Sequence, residues 1–137
     1  MSAINLAQSL IKIKSISPKD EGCFDLVEAE LTPLGFETKR IPELNCETLL
    51  AKFGKSGKVF CFLGHTDIVP SGPEDDWTSP PFEANIINGD LIGRGAADMK
   101  GSVAVFIQSV KKFLTANPNP NFQIWVMLTS NEEGEPE

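Results

Sequence analysis

The single histidine of this 137-residue chain, His65, closes an apolar run from Val59 to Gly64 and is followed two positions later by Asp67. Side chains two apart on an extended segment point the same way, so the imidazole can serve as a metal ligand while the carboxylate holds it from behind. Two further acidic groups stand out. Asp98 lies among small residues in the stretch Gly93-Arg94-Gly95-Ala96-Ala97-Asp98-Met99-Lys100-Gly101, and Glu132 and Glu133 follow a second apolar run. One imidazole with several carboxylates is the ligand set of a divalent metal used as a Lewis acid. Each part also has a structural reading: His65 as a satisfied strand-end residue, Asp98 as a helix N-cap, Glu132-Glu133 as a solvated pair. Other chemistries fit less well. No Lys-Ser or Lys-Thr follows Gly93-x-Gly95 at phosphate-loop spacing, and no Gly-x-Ser-x-Gly elbow accompanies the lone histidine. A metal-dependent hydrolase is the leading reading of these residues.

The elements that must carry them follow from periodicity. Ile4, Ala7, Leu10 and Ile11 predict a helix over residues 2–15, broken by Ser15-Ile16-Ser17-Pro18, and Phe24, Val27, Leu31 and Leu34 predict a second over 21–34, stopped by Gly35. Residues 36–41 alternate weakly, as an edge strand does. Residues 48–53 and 59–63 flank Gly54-Lys55-Ser56-Gly57 in the manner of a hairpin, and the apolar character of 59–63 on both faces predicts a central strand covered by helices on each side. A polar connection over 70–81, anchored by Trp77 and Phe82, leads to a hairpin at Asn88-Gly89. Val103, Phe106, Ile107, Val110, Phe113 and Leu114 then predict a helix, and residues 122–128 a strand. If strands 59–63 and 122–128 are parallel, a right-handed crossover brings His65, Asp67, Glu132 and Glu133 to one sheet edge, with Asp98 at the helix start between them. The expected class is α/β, a mixed, mainly parallel sheet flanked by helices.

Composition narrows the partners. A net charge of −7 and a pI near 4.7 leave no basic stripe for nucleic acid, and no apolar run is long enough to span a bilayer. Cys23, Cys46 and Cys61 are odd in number and form no Cys-x-x-Cys pair. They read as reduced thiols of a cytoplasmic protein, and Lys12 and Lys14 interrupt the N-terminus where a signal peptide would be most apolar.

Gly-His-Thr-Asp-Ile-Val-Pro (64–70), Trp77 with Pro80-Pro81-Phe82, the stretch 93–101, and Thr-Ser-Asn-Glu-Glu-Gly (129–134), in that order and separation, resemble the di-zinc aminoacylase and carboxypeptidase family. The resemblance covers essentially the whole chain. It implies a zinc-exopeptidase-like fold with two Zn2+ ions per complete site, Co2+ being a possible substitute. By that resemblance His65 binds one zinc, Asp98 bridges both and Glu133 binds the other, while Glu132 is the general base and Asp67 orients His65. Asn131 stands where many members carry Asp, a departure that touches none of these roles.

The implied substrate is a small N-acyl amino acid, N-succinylated in the branch that the wording of 93–101 favours, and the complete enzyme is expected to be a homodimer. A related deacylase or aminopeptidase and a truncated non-enzymatic relative stay open as alternatives. The family's pattern also implies ligands beyond this chain, a further carboxylate and a second histidine. Residues 1–137 are therefore expected to be the N-terminal part of a catalytic domain, without its lid or dimerisation domain and its C-terminal half, and inactive alone. Glu135 or Glu137 would be the substitutes to look for if the isolated chain proved active.

Overall fold

The computed structural model describes residues 1–134. In chain order these form α1 (Ala3–Ile11), α2 (Cys23–Leu31), β1 (Glu37–Glu43), β2 (Cys46–Phe53), β3 (Val59–His65), β4 (Asn85–Ile87), β5 (Asp90–Ile92), α3 (Gly101–Ala116) and β6 (Gln123–Thr129). Short helical turns cover Thr32–Leu34, Glu74–Asp76 and Ala96–Lys100. Ser2 caps α1 by accepting the Asn5 N–H, and Asp20 does the same for α2 by accepting the N–H groups of Gly22 and Phe24. The second helix loses regularity at Pro33 and stops at Gly35, whose φ of 94° is left-handed.

The main sheet runs β1-β2-β6-β3. The crossover from β3 through α3 to β6 is present, and these two strands pair in parallel from Val59↔Gln123 to His65↔Thr129. The sheet is mixed, as expected, but its emphasis differs from the expectation. The pairs β1–β2 and β2–β6 are antiparallel, so among the described strands only β3–β6 is parallel.

Two further expectations are corrected. Strands β2 and β3 do not form a hairpin, because β6 lies between them; the Gly54–Gly57 link instead spans the width of one strand. Gly57 makes that passage possible, since a Cβ there would come within 2.3 Å of the Asn121 carbonyl oxygen. The tight hairpin belongs to β1 and β2, where Glu43 faces Cys46. Nor is β3 central: it is the outer strand of the sheet, and Val59, Phe60 and Leu63 are 46%, 58% and 70% exposed. The hairpin expected at Asn88-Gly89 is present between β4 and β5, with φ of 55° and 94° at the two turn residues.

The core sits on one face of the sheet. Leu49 and Ala51 of β2 and Ile124, Val126 and Leu128 of β6 pack with Leu6 and Leu10 of α1, Phe24, Val27 and Leu31 of α2, and Val103 and Ile107 of α3. Phe62 of β3 joins this layer by stacking on Phe106 at 4.2 Å between ring centroids. Met127 on the opposite face is exposed. Among the described residues no helix is long and apolar enough to cross a membrane.

Candidate metal centre

Parallel pairing of β3 and β6 delivers two chain exits to one place. The ladder continues past the strands with the Thr66 N–H donating to the Thr129 carbonyl at 3.0 Å, so residues 65–67 and 130–133 leave the sheet side by side. His65 is buried at this exit, with Nδ1 3.0 Å from the main-chain carbonyl oxygen of Asp67. A carbonyl oxygen can only accept, so this contact calls for a proton on Nδ1, and Nε2, which faces an acceptor-only carboxylate, needs a proton or a metal ion on its own side. Asp98 Oδ1 lies 3.1 Å from Nε2 and Glu132 Oε2 lies 3.8 Å from it. Ligand atoms of His65, Glu132 and Glu133 all fall within 4.8 Å of one another.

An imidazole nitrogen facing several carboxylates is an arrangement that a shared cation balances. One borderline nitrogen and hard oxygens suit zinc or a similar divalent ion, so the residues present fit such a metal. Asp98 stands outside the threefold group and meets it through His65.

The turn Ala96–Lys100 carries Asp98 to the site. Gly95 begins it with φ of 78°, and a Cβ at that position would press to 2.6 Å against Ile68. The Lys100 N–H donates back to the Gly95 carbonyl at 2.9 Å. Asp98 makes no cap to α3, which begins with no side-chain capping bond, and its side chain is 75% exposed toward His65 and solvent. The Lys100 side chain is fully buried beneath the turn, and Nζ donates to the carbonyls of Leu10 and Ile13, both at 2.8 Å, which ties the turn to the end of α1. Burial pushes its ammonium pKa down, and nearby Cys23, Asp20 and Asp67 act in the opposite direction.

Asp67 is fully buried and its carboxylate is occupied by the loop that carries the glutamates. It accepts the Glu132 N–H at 3.0 and 3.1 Å, the Glu133 N–H at 3.0 Å, and the Ser17 hydroxyl. Its contact with His65 Nδ1 is longer, 3.5 Å, so the acceptor nearer that ring nitrogen is the main-chain carbonyl of Asp67 and not the carboxylate. Behind this layer the Thr66 hydroxyl donates to Asp20, whose carboxyl burial pushes up in pKa, against the lowering effect of its bonds from Phe24 and Gly22.

The structure thus brings His65, Asp67, Asp98, Glu132 and Glu133 to one edge. Glu135 and Glu137 lie outside the described residues. Sequence reasoning missed Ser17 and Lys100 as supports. Ser17 was legible only as a helix breaker beside Pro18. Lys100 had one signal, a cation set among small residues next to Asp98.

Residues 61–136 match the family model described as Peptidase family M20/M25/M40, which is more than half of the chain, and the chain belongs to that family. Among curated relatives, succinyl-diaminopimelate desuccinylase of Aromatoleum aromaticum is 46% identical over 133 residues, covering 97% of this chain and 35% of the relative. The enzyme of the same name from Halorhodospira halophila is 48% identical over 135 residues, covering 98% and 36%. The resemblance carried by the motifs is borne out by these relatives, of whose length this chain spans about a third. Human carnosine dipeptidase 1 superposes with a TM-score of 0.83 at 24% identity, covering 96% of this chain and 32% of that structure, a likeness of fold.

Proposed function

We propose that this chain carries the metal-binding half of a succinyl-diaminopimelate desuccinylase site, hydrolysing N-succinyl-LL-2,6-diaminopimelate to succinate and LL-2,6-diaminopimelate on the route to lysine. The observation that carries the reading is His65 Nε2 facing Asp98 and Glu132, with Glu133 in the same cluster of ligand atoms. Identities of 46% and 48% to desuccinylases support the choice of substrate class.

His65, Asp98 and Glu133 are the residues that would hold two zinc ions, or cobalt in their stead, with Asp98 contributing to both. A divalent metal held there supplies Lewis acidity toward the amide carbonyl and lowers the pKa of a water. Glu132 is the proposed general base: its carboxylate takes the proton of the water attacking the amide carbon and passes it to the leaving amine nitrogen. Its side chain is 58% exposed on the open side of the cluster, where a substrate can reach it. Asp67 holds the main chain beneath both glutamates by accepting their N–H groups. With a metal on Nε2, the His65 Nδ1–H would donate to the Asp67 carbonyl, which orients the ring.

We take residues 1–137 as the N-terminal part of the catalytic domain. A lid or dimerisation domain and the rest of the catalytic domain complete the site in the homodimeric, cytoplasmic enzyme, and the chain alone is inactive. The test is a hybrid in which this chain replaces the matching part of a full-length relative, assayed with zinc on N-succinyl-LL-2,6-diaminopimelate and a panel of other N-acyl amino acids. Metal-dependent release of succinate from the diaminopimelate substrate is expected. Preference for another acyl group or for peptides would move the chain to a related deacylase or peptidase.

A further inference from the structure

The segment Ser15-Ile16-Ser17-Pro18 ends α1, yet it is fastened to the site from several sides. Ile16 bridges Ile68 in parallel, with the Ile68 N–H donating to the Ser15 carbonyl at 3.0 Å and the Ser17 N–H to the Ile68 carbonyl at 3.1 Å. The Ser15 hydroxyl donates to the Thr66 carbonyl at 2.7 Å, and the buried Ser130 hydroxyl donates to the Pro18 carbonyl at 2.9 Å. These bonds hold the Ser17 backbone so that its hydroxyl meets Asp67 Oδ2, the same oxygen that accepts the N–H groups of Glu132 and Glu133.

We infer that Ser17 is a positioning residue of the metal centre, acting through the Asp67 carboxylate to hold the Glu132–Glu133 main chain in place. A fully buried carboxylate is costly unless donors surround it, and no positively charged side chain hydrogen-bonds to Asp67 among the described residues. Its donors are the Ser17 hydroxyl and the two glutamate amides. Two of the three donor groups therefore belong to the loop that carries the proposed base and ligand, and the third comes from a segment 50 residues earlier than Asp67. Without the Ser17 hydroxyl, the buried carboxylate keeps only the two glutamate amides as donors, and the loop's anchor is no longer tied to the 15–18 segment. The inference rests on the metal reading for its consequence, but its geometry does not.

The experiment is amide hydrogen exchange of the chain, followed residue by residue, with zinc affinity measured in parallel by competition with a chromophoric chelator. In Ser17→Ala, exchange at the Glu132 and Glu133 amides is expected to speed up by about tenfold or more while that at Val126 and Leu128 in β6 stays near the wild-type rate. Zinc affinity is expected to fall by about tenfold, and Ser17→Thr, which keeps the hydroxyl, to recover both. Should Ser17→Ala fail to fold, Ser17→Cys carries the test, its weaker donor giving a smaller rise at the same two amides. Unchanged exchange at Glu132 and Glu133, or a rise shared equally by Val126 and Leu128, would overturn the inference. Absence of zinc uptake by the full-length hybrid, while Ser17→Ala still loosens those two amides in the chain, supports the clamp and contradicts the metal reading.

Discussion

His65 Nδ1 stands 3.0 Å from the main-chain carbonyl oxygen of Asp67 and 3.5 Å from that residue's carboxylate. The backbone therefore supplies the nearer acceptor for Nδ1, and the carboxylate is left to receive the amides of Glu132 and Glu133.

Asp67→Asn changes the second of these functions more than the first. An amide side chain offers one acceptor oxygen where the carboxylate offers two, and it presents an NH2 group to amides that need acceptors. Zinc affinity, measured by competition titration, is expected to drop by about ten- to a hundredfold. An unchanged affinity would leave Asp67 a role in folding alone.

Glu132→Gln separates base from ligand. In the full-length hybrid, turnover is expected to fall by about a hundredfold or more with zinc content retained, because a proton acceptor is removed and the ligands stay. Glu132 lies within the threefold group around His65, so loss of zinc in this variant would exchange the roles of the two glutamates.

Asp20 carries a pH signature. Burial raises its folded pKa above 3.8, so its contribution to stability is fully present below that value and is lost as pH rises through the folded pKa. Asp20→Asn keeps an acceptor for the cap of α2 and lacks the titration. Urea unfolding of both proteins from pH 4 to 7 is expected to show the wild type losing stability relative to the variant as pH increases. A difference that stays constant, or grows in the wild type's favour, would mean that the bonds from Gly22, Phe24 and Thr66 outweigh burial.

Among the described residues β3 is the outer strand and leaves Phe60 and Leu63 exposed beside a sheet edge that no other strand covers, a template for association. Leu63→Lys is expected to reduce self-association of the chain in sedimentation velocity without lowering its melting temperature by more than a few degrees. Equal association in both proteins would place the contact elsewhere.

Much of this arrangement was legible in local signals. The α3 stripe from Val103 to Leu114 and the Asn88-Gly89 turn depend on neighbours in sequence, and both elements formed where periodicity and turn chemistry put them. Convergence of His65 with Glu132 and Glu133 was legible because two parallel strands joined by a crossover end on one edge. The β2–β3 hairpin was misread because Gly54-Lys55-Ser56-Gly57 says only that the chain turns. Whether a later strand inserts there depends on Ile124, Val126 and Leu128 finding the centre of the sheet, a contact made across some 70 residues. Ser17 and Lys100 were illegible as supports for the same reason. Their partners stand 50 residues away in one case and 87 and 90 in the other, and a serine before proline or a lysine before glycine has many commoner uses.

Zinc K-edge absorption spectroscopy of the zinc-loaded chain, wild type against His65→Ala, tests the central claim most directly. A first shell of nitrogen and oxygen at about 2.0–2.1 Å is expected, with the multiple-scattering pattern of one imidazole that is lost in His65→Ala. A shell containing sulfur at about 2.3 Å, from any of the free cysteines Cys23, Cys46 or Cys61, or a spectrum unchanged by His65→Ala, would contradict it.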